Sequence, residues 1–264
     1  MMKNNVLVIG DIVGKPGRTI LRDKLGSFIE SEDIHFCIAN GENAAGGAGI
    51  TGEIAKELFS YGIDVITTGD HVWDKREKPP VLETNSNILR PGNYSPLSIG
   101  KGHVIKNSKL GNPIGVINLL GRVFMKPIDC PFRGVDGILK SISRETNMIF
   151  VDMHAEATSE KIALGWYLDG KVSAVVGTHT HVVTADETIL PKGTAYISDL
   201  GMTGPHESVL GRKIECVLKA IITQMPTRFE VAEKDIRISG VKIVVDSRTG
   251  KADSIKRIQV KECD

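Results

Sequence analysis

Two histidines, His179 and His181 in Gly177-Thr178-His179-Thr180-His181, have the type and spacing to do chemistry together. They close the apolar run Ala174-Val175-Val176, which reads as a strand. Side chains two apart on an extended strand share a face, so this spacing predicts two imidazoles turned toward one point, as a metal site needs. Three more β-rich runs break into ligand-type residues at their C-terminal ends. They are Val6-Leu7-Val8-Ile9-Gly10-Asp11, Phe36-Cys37-Ile38-Ala39-Asn40-Gly41-Glu42-Asn43 and Val65-Ile66-Thr67-Thr68-Gly69-Asp70-His71. A fifth, Met148-Ile149-Phe150-Val151-Asp152-Met153-His154, ends in a histidine. One Asp or Asn after a strand is often only a turn former. Five such ends bearing Asp, Glu, Asn and His read as one site. His35 and His103 stand outside any polar cluster and read as structural. Mixed oxygen and nitrogen donors with no cysteine among them suit Fe, Mn or Zn and argue against a thiolate-rich centre.

These residues need a scaffold that brings strand ends together. A loop from Ile12 to Gly17 leads into Thr19–Ile29, where apolar residues at 20, 21, 25, 28 and 29 follow helical spacing. Thr51 reads as an N-cap, Ile54, Ala55, Leu58 and Phe59 as one helical face, and Gly62 as the stop. Strand-loop-helix-strand repeats predict an α/β fold with parallel strands, whose ligands gather beyond the C-terminal strand ends. Gly10-Asp11-Ile12-Val13-Gly14-Lys15-Pro16-Gly17 is glycine-rich but not a P-loop: three residues, not four, precede Gly-Lys, and Pro16 follows. The region from about 85 to 135 is rich in Pro, Gly and Asn and reads as a loop-rich, cap-like segment, with strands at His103-Val104-Ile105 and Ile114-Gly115-Val116-Ile117. Ile236 to Val260 predicts a hairpin turning near Arg248-Thr249-Gly250. No repeat or linker divides residues 1–264, so one domain is expected.

Composition narrows the class. The chain has 264 residues, 41% hydrophobic and 25% charged, ordinary for a globular protein. A formal net charge of +1 gives no electrostatic reason to expect nucleic acid or a membrane as partner. No apolar stretch approaches a membrane span, and Met1-Met2-Lys3-Asn4-Asn5 passes directly into a strand without room for a signal peptide. Cys37, Cys130, Cys216 and Cys263 are scattered, which fits a reducing cytoplasm.

The order Gly-Asp, Gly-Glu-Asn, Gly-Asp-His, a lone His, then Gly-Thr-His-Thr-His resembles the calcineurin-like metallophosphoesterases. Within them it is similar to the bacterial YmdB-like branch, in which Gly-Glu-Asn replaces the usual bridging Asp motif. The strings Asn40-Gly41-Glu42-Asn43-Ala44-Ala45-Gly46-Gly47, Gly69-Asp70-His71-Val72-Trp73-Asp74 and Ile197-Ser198-Asp199-Leu200-Gly201-Met202-Thr203-Gly204-Pro205 carry the likeness over nearly the whole chain. It implies an αββα sandwich with the metal site at the C-terminal strand ends. It also implies two transition-metal ions, divalent or mixed-valence, Fe or Mn before Zn. By motif, Asp11 and His181 would hold the first ion, Glu42 would bridge, and Asn43, Asp70, His154 and His179 would hold the second. His71 would protonate the leaving alkoxide as general acid.

The implied activity is phosphodiester hydrolysis, with 2′,3′- or 3′,5′-cyclic nucleotides as substrates. A phosphomonoesterase or nuclease on the same centre, or a low-turnover regulatory nucleotide-binding protein, are the alternatives. Oligomeric state stays open, a homo-oligomer included. The branch usually carries Asn where this chain has Asp70, and an ionised Asp loses the amide donor and adds a negative charge.

Overall fold

The computed structural model of the chain describes residues 3–75 and 80–262. Cys263 and Met1-Met2, the first residues of the segment leading into the expected strand, lie outside the described residues. The first half runs β1 (Lys3–Ile9), β2 (Asp11–Ile12), α1 (Gly14–Ser31), β3 (Phe36–Asn40), α2 (Gly52–Ser60), β4 (Val65–Thr67), α3 (Val81–Thr84) and β5 (Ile88–Leu89). The middle adds β6 (His103–Asn107), β7 (Pro113–Leu120), α4 (Pro131–Ile142), β8 (Met148–His154), α5 (Thr158–Leu168) and β9 (Ala174–Thr178). The rest comprises β10 (Thr188–Ile189), β11 (Ala195–Ile197), β12 (Met202–Pro205), α6 (Ile214–Thr223), β13 (Ile236–Asp246) and β14 (Ala252–Lys261).

Two sheets face each other. The first has the order β2-β12-β13-β1-β3-β4-β5, with β14 paired to β13; the second runs β10-β11-β9-β8-β7-β6. Strands β1, β3, β4 and β5 are mutually parallel, as are β7, β8, β9 and β11. Their C-terminal ends therefore meet along one edge of the sandwich.

Period-two alternation explains the layers. Val6, Val8, Phe36 and Ile38 turn inward and pack with Val116, Met148, Phe150 and Val176 between the sheets. Leu7, Ile9, Cys37 and Ala39 turn outward and meet Leu21, Leu25, Ala55 and Leu58 of α1 and α2. On the other side Ile149, Val151 and Val175 pack on Val135, Leu164 and Leu168 of α4 and α5. Strands covered on both faces favour near-continuous apolar runs, broken here by polar residues near their C-terminal ends. The arrangement is the αββα sandwich that the resemblance implies.

Local signals behave as their chemistry requires. The Thr51 hydroxyl accepts the Ile54 N–H at 3.3 Å and caps α2, and Gly62 leaves that helix with φ of 106°. β13 and β14 form the expected hairpin. The loop expected over Ile12–Gly17 is shorter, because α1 already begins at Gly14. Pro16 does not prevent this, since first-turn N–H groups have no intrahelical partner. Within 85–135, β6 and β7 join the second sheet and α4 covers it, so much of this stretch is framework.

Candidate metal centre

Every residue of the sequence-derived cluster lies at the shared strand edge. Asp11 follows β1, Glu42 and Asn43 follow β3, Asp70 and His71 follow β4, His154 ends β8, and His179 and His181 follow β9. Asp11, Glu42, Asn43 and His154 are buried. The edge can hold so many ligands because glycines remove bulk from it. A Cβ on Gly69 would sit 2.2 Å from His154 Cδ2 and 2.3 Å from Glu42 Oε2.

Ligand atoms of Glu42, Asp70, His154 and His179 all lie within 4.8 Å of one another. His154 Nε2 is 3.1 Å from Glu42 Oε1, 3.3 Å from Asp70 Oδ1 and 3.0 Å from His179 Nδ1. A second corner adjoins it. His181 Nε2 lies 3.9 Å from Asp11 Oδ1 and 3.1 Å from Asn43 Nδ2, which also donates to Glu42 Oε1 at 3.1 Å. Asn43 Nδ2 thus lies between Glu42 and His181. Glu42 is common to both corners.

The backbone behind the histidines differs from expectation. β9 ends at Thr178, and His179 and His181 have φ of 102° and 64°, left-handed values rather than extended strand. They converge through a strained loop held from outside. Asp199 Oδ2 accepts Thr180 N at 3.1 Å and Thr180 Oγ1 at 2.7 Å, and the buried Lys161 ammonium completes it at 2.7 Å. Asp11 Oδ2 accepts the His179 N–H at 3.1 Å, and His181 Nδ1 donates to the Leu210 carbonyl at 3.1 Å.

Beneath His154 lies a further layer. Thr178 Oγ1 is 2.9 Å from His154 Nδ1 and donates to Asp152 Oδ1 at 2.7 Å, while Asn40 Nδ2 donates to Asp152 Oδ2 at 3.1 Å. His71 is half exposed, its Nδ1 2.8 Å from Asp74 Oδ2 and its backbone N–H 3.3 Å from Glu42 Oε2. His35 and His103 lie elsewhere: His35 Nδ1 accepts the Asn5 N–H at 3.1 Å, and His103 begins β6.

The electrostatics are those of crowded acids around one cation. Burial pushes the Asp11 carboxyl well above its usual range, reinforced by Glu42 and Asp199 and opposed by His154. Burial also works against charge on Asp70, but His154, His71 and His179 outweigh it and hold this acid below the usual carboxylate range. His154 is raised, because Glu42, Asp70 and Asp11 overcome its burial. Burial lowers His179 and His181, favouring the neutral imidazole that binds metal. Two carboxylate oxygens, Asp11 Oδ1 and Asp70 Oδ1, are buried without a hydrogen-bond partner, although Asp70 Oδ1 lies within ion-pair distance of His154 and His179. Orphaned acceptors are costly in a buried site, and cations shared between these donors would satisfy them. The residues fit a metal.

Asp152, Glu156, Lys161 and the supporting role of Asp199 went unforeseen. Each acts through a partner distant in sequence, so spacing carries no sign of it. A buried Lys on a helix was the one available clue.

A family model described as YmdB-like protein matches residues 7–258. A 2′,3′-cyclic-nucleotide 2′-phosphodiesterase of Bacillus subtilis (strain 168) is 48% identical over 257 residues, covering 97% of each chain. Among solved structures, a phosphatase of Mycoplasma pneumoniae superposes with a TM-score of 0.92 at 31% identity, covering 99% of this chain and 94% of that one. A hypothetical protein of Thermus thermophilus gives 0.89 at 38% identity, covering 98% and 99%. The matched length and the fold agree, and the chain belongs to the YmdB-like protein family.

Proposed function

We propose that this chain is a dinuclear metal-dependent phosphodiesterase of cyclic nucleotides, the 2′,3′-cyclic class first among them. The observation that carries the proposal is the convergence of Glu42, Asp70, His154 and His179 within 4.8 Å, beside Asp11 Oδ1, which has no hydrogen-bond partner. The substrate class is supported by the name of the Bacillus relative. Asp11, Asn43 and His181 would hold one ion, Asp70, His154 and His179 the other, and Glu42 would bridge. Asn43 would bind through its amide oxygen, a half-turn from the orientation that faces Glu42. Fe or Mn suits this donor set, with Zn as a further candidate. When bound, such ions would supply Lewis-acid chemistry for water activation and charge neutralisation.

The protein's own groups do the rest. His71 stands at the rim, oriented by Asp74 through Nδ1, which leaves Nε2 to deliver a proton to the departing alkoxide. Backbone N–H groups of His71 and His179 hold Glu42 and Asp11 in place. Metal analysis of protein purified without added metal, with rates on a 2′,3′-cyclic nucleotide, bis-p-nitrophenyl phosphate and p-nitrophenyl phosphate, tests the proposal. Two ions per chain and preference for diesters support it. Preference for the monoester would move the assignment to a phosphatase.

Asp70 favours a second reading, a slow enzyme that chiefly binds its nucleotide. Two divalent ions against the carboxylates of Asp11, Glu42 and Asp70 leave one net positive charge, where Asn at position 70 would leave two. Attraction for an anionic substrate falls accordingly. Turnover compared with binding for one ligand separates the two readings.

A further inference from the structure

The paired histidines present opposite ring nitrogens to the centre. His181 turns Nε2 inward, toward Asn43 and Asp11, and gives Nδ1 to the Leu210 carbonyl. His179 does the reverse. Its Nδ1 lies 3.0 Å from His154 Nε2 and 3.6 Å from Asp70 Oδ1, and its Nε2 lies 3.3 Å from Glu156 Oε2. Among the described residues, Glu156 is the only partner of that nitrogen.

A neutral imidazole carries one proton, and an acceptor at one nitrogen commits the other to offering its lone pair. We propose that Glu156 is a positioning residue for the second metal. Its carboxylate, 3.3 Å from Nε2, keeps the ring proton on that nitrogen and leaves Nδ1 as the ligand atom. This inference rests on the ligand assignment above.

Three observations favour it. His179 sits at φ of 102°, so its backbone does not by itself settle the ring. Glu156 is carried on a firm base: Ala155 before it is buried and donates its N–H to Thr178 O at 3.3 Å, across the gap between β8 and β9. The Glu156 side chain is 50% exposed, so its contact with His179 contributes little to folding. A carboxylate behind a ligating histidine also raises the basicity of the ring.

The test is Mn(II) titration of metal-free wild type, Glu156→Ala and Glu156→Gln, read by calorimetry and by electron paramagnetic resonance of the Mn pair. Glu156→Ala should weaken one ion about 10–100-fold, the usual cost of losing such a partner, and leave the other unchanged. The spin-coupled pair should give way to an isolated ion at limiting metal. Gln accepts the same hydrogen bond without the charge and should recover part of the loss. Wild-type affinity for both ions in Glu156→Ala, equal weakening of both, or a lower melting temperature of the metal-free variant would each overturn the inference. If wild type itself takes up fewer than two ions, the ligand assignment fails first.

Discussion

The two corners of the centre are built differently. The Asp70-His154-His179 corner is assembled in advance, its donors drawn within ion-pair distance and His154 underlaid by Thr178, Asp152 and Asn40. The Asp11-Asn43-His181 corner is more open: Asp11 and His181 stand 3.9 Å apart, and the outer ring nitrogen of His181 rests on a loop carbonyl at Leu210. In the first corner His154 ends a central strand, while in the second Asp11 opens the short β2 and His181 rests on a loop. The strand-end histidine, paired with buried Glu42, contributes more to folding than the loop histidine.

Glu42 belongs to both corners and should show the largest effect. Glu42→Gln is expected to lose both ions and more activity than the roughly 10²–10⁴-fold of a missing general acid. It should also cost more than Asn43→Ala. Near-normal turnover with two ions in Glu42→Gln would place the bridge elsewhere.

His71 belongs to neither corner. His71→Ala should keep its metals and lose roughly 10²–10⁴-fold in rate, with a smaller loss on substrates whose leaving groups need no proton. An equal loss on every substrate would show that His71 binds or supports instead.

The contrast itself is tested by the histidines. His154→Ala, His179→Ala and His181→Ala should each lower bound metal and abolish hydrolysis. In metal-free protein, however, His154→Ala strips the buried Glu42 of its ion-pair partner and should cost about 3–5 kcal/mol. His181→Ala should cost far less. Equal shifts in urea unfolding would erase the distinction.

The smallest expected change is a gain. Asp70→Asn removes one negative charge and should raise kcat/KM roughly fivefold, the value of an about 1 kcal/mol Coulomb interaction at 4 Å in water. Kinetics at matched metal content decide it, and an unchanged or slower variant would mean that Asp70 has a positive role.

The cluster of ligand-type side chains could be read from sequence because apolar runs of strand type stop abruptly at Asp11, Glu42, Asp70, His154 and His179. Parallel sheets bring such ends together whatever their order in the chain. The layers were legible for the same reason, since period and composition are local. Geometry at the ends was not. Alternation on a strand predicts a shared face for His179 and His181, yet both lie past the strand in left-handed backbone, and tertiary contacts from Asp199 and Lys161 set their direction. Within 85–135 the two expected strands form as β6 and β7, whereas α4 gave no sign because its start at Pro131 looks like a loop although Pro is compatible with a helical first turn.

β1, which delivers Asp11, lies between β3 and β13, and its pairing with β13 joins Lys3 to Asp246. During synthesis the first strand must therefore wait for residues Ile236–Asp246 to leave the ribosome before its second edge is covered. Until then an apolar strand edge stands open to other chains, and the Asp11 corner has half its support. Completion of the Asp11 corner is in that sense a late event in the life of the chain, and a fragment released before Ile236 would be prone to aggregate.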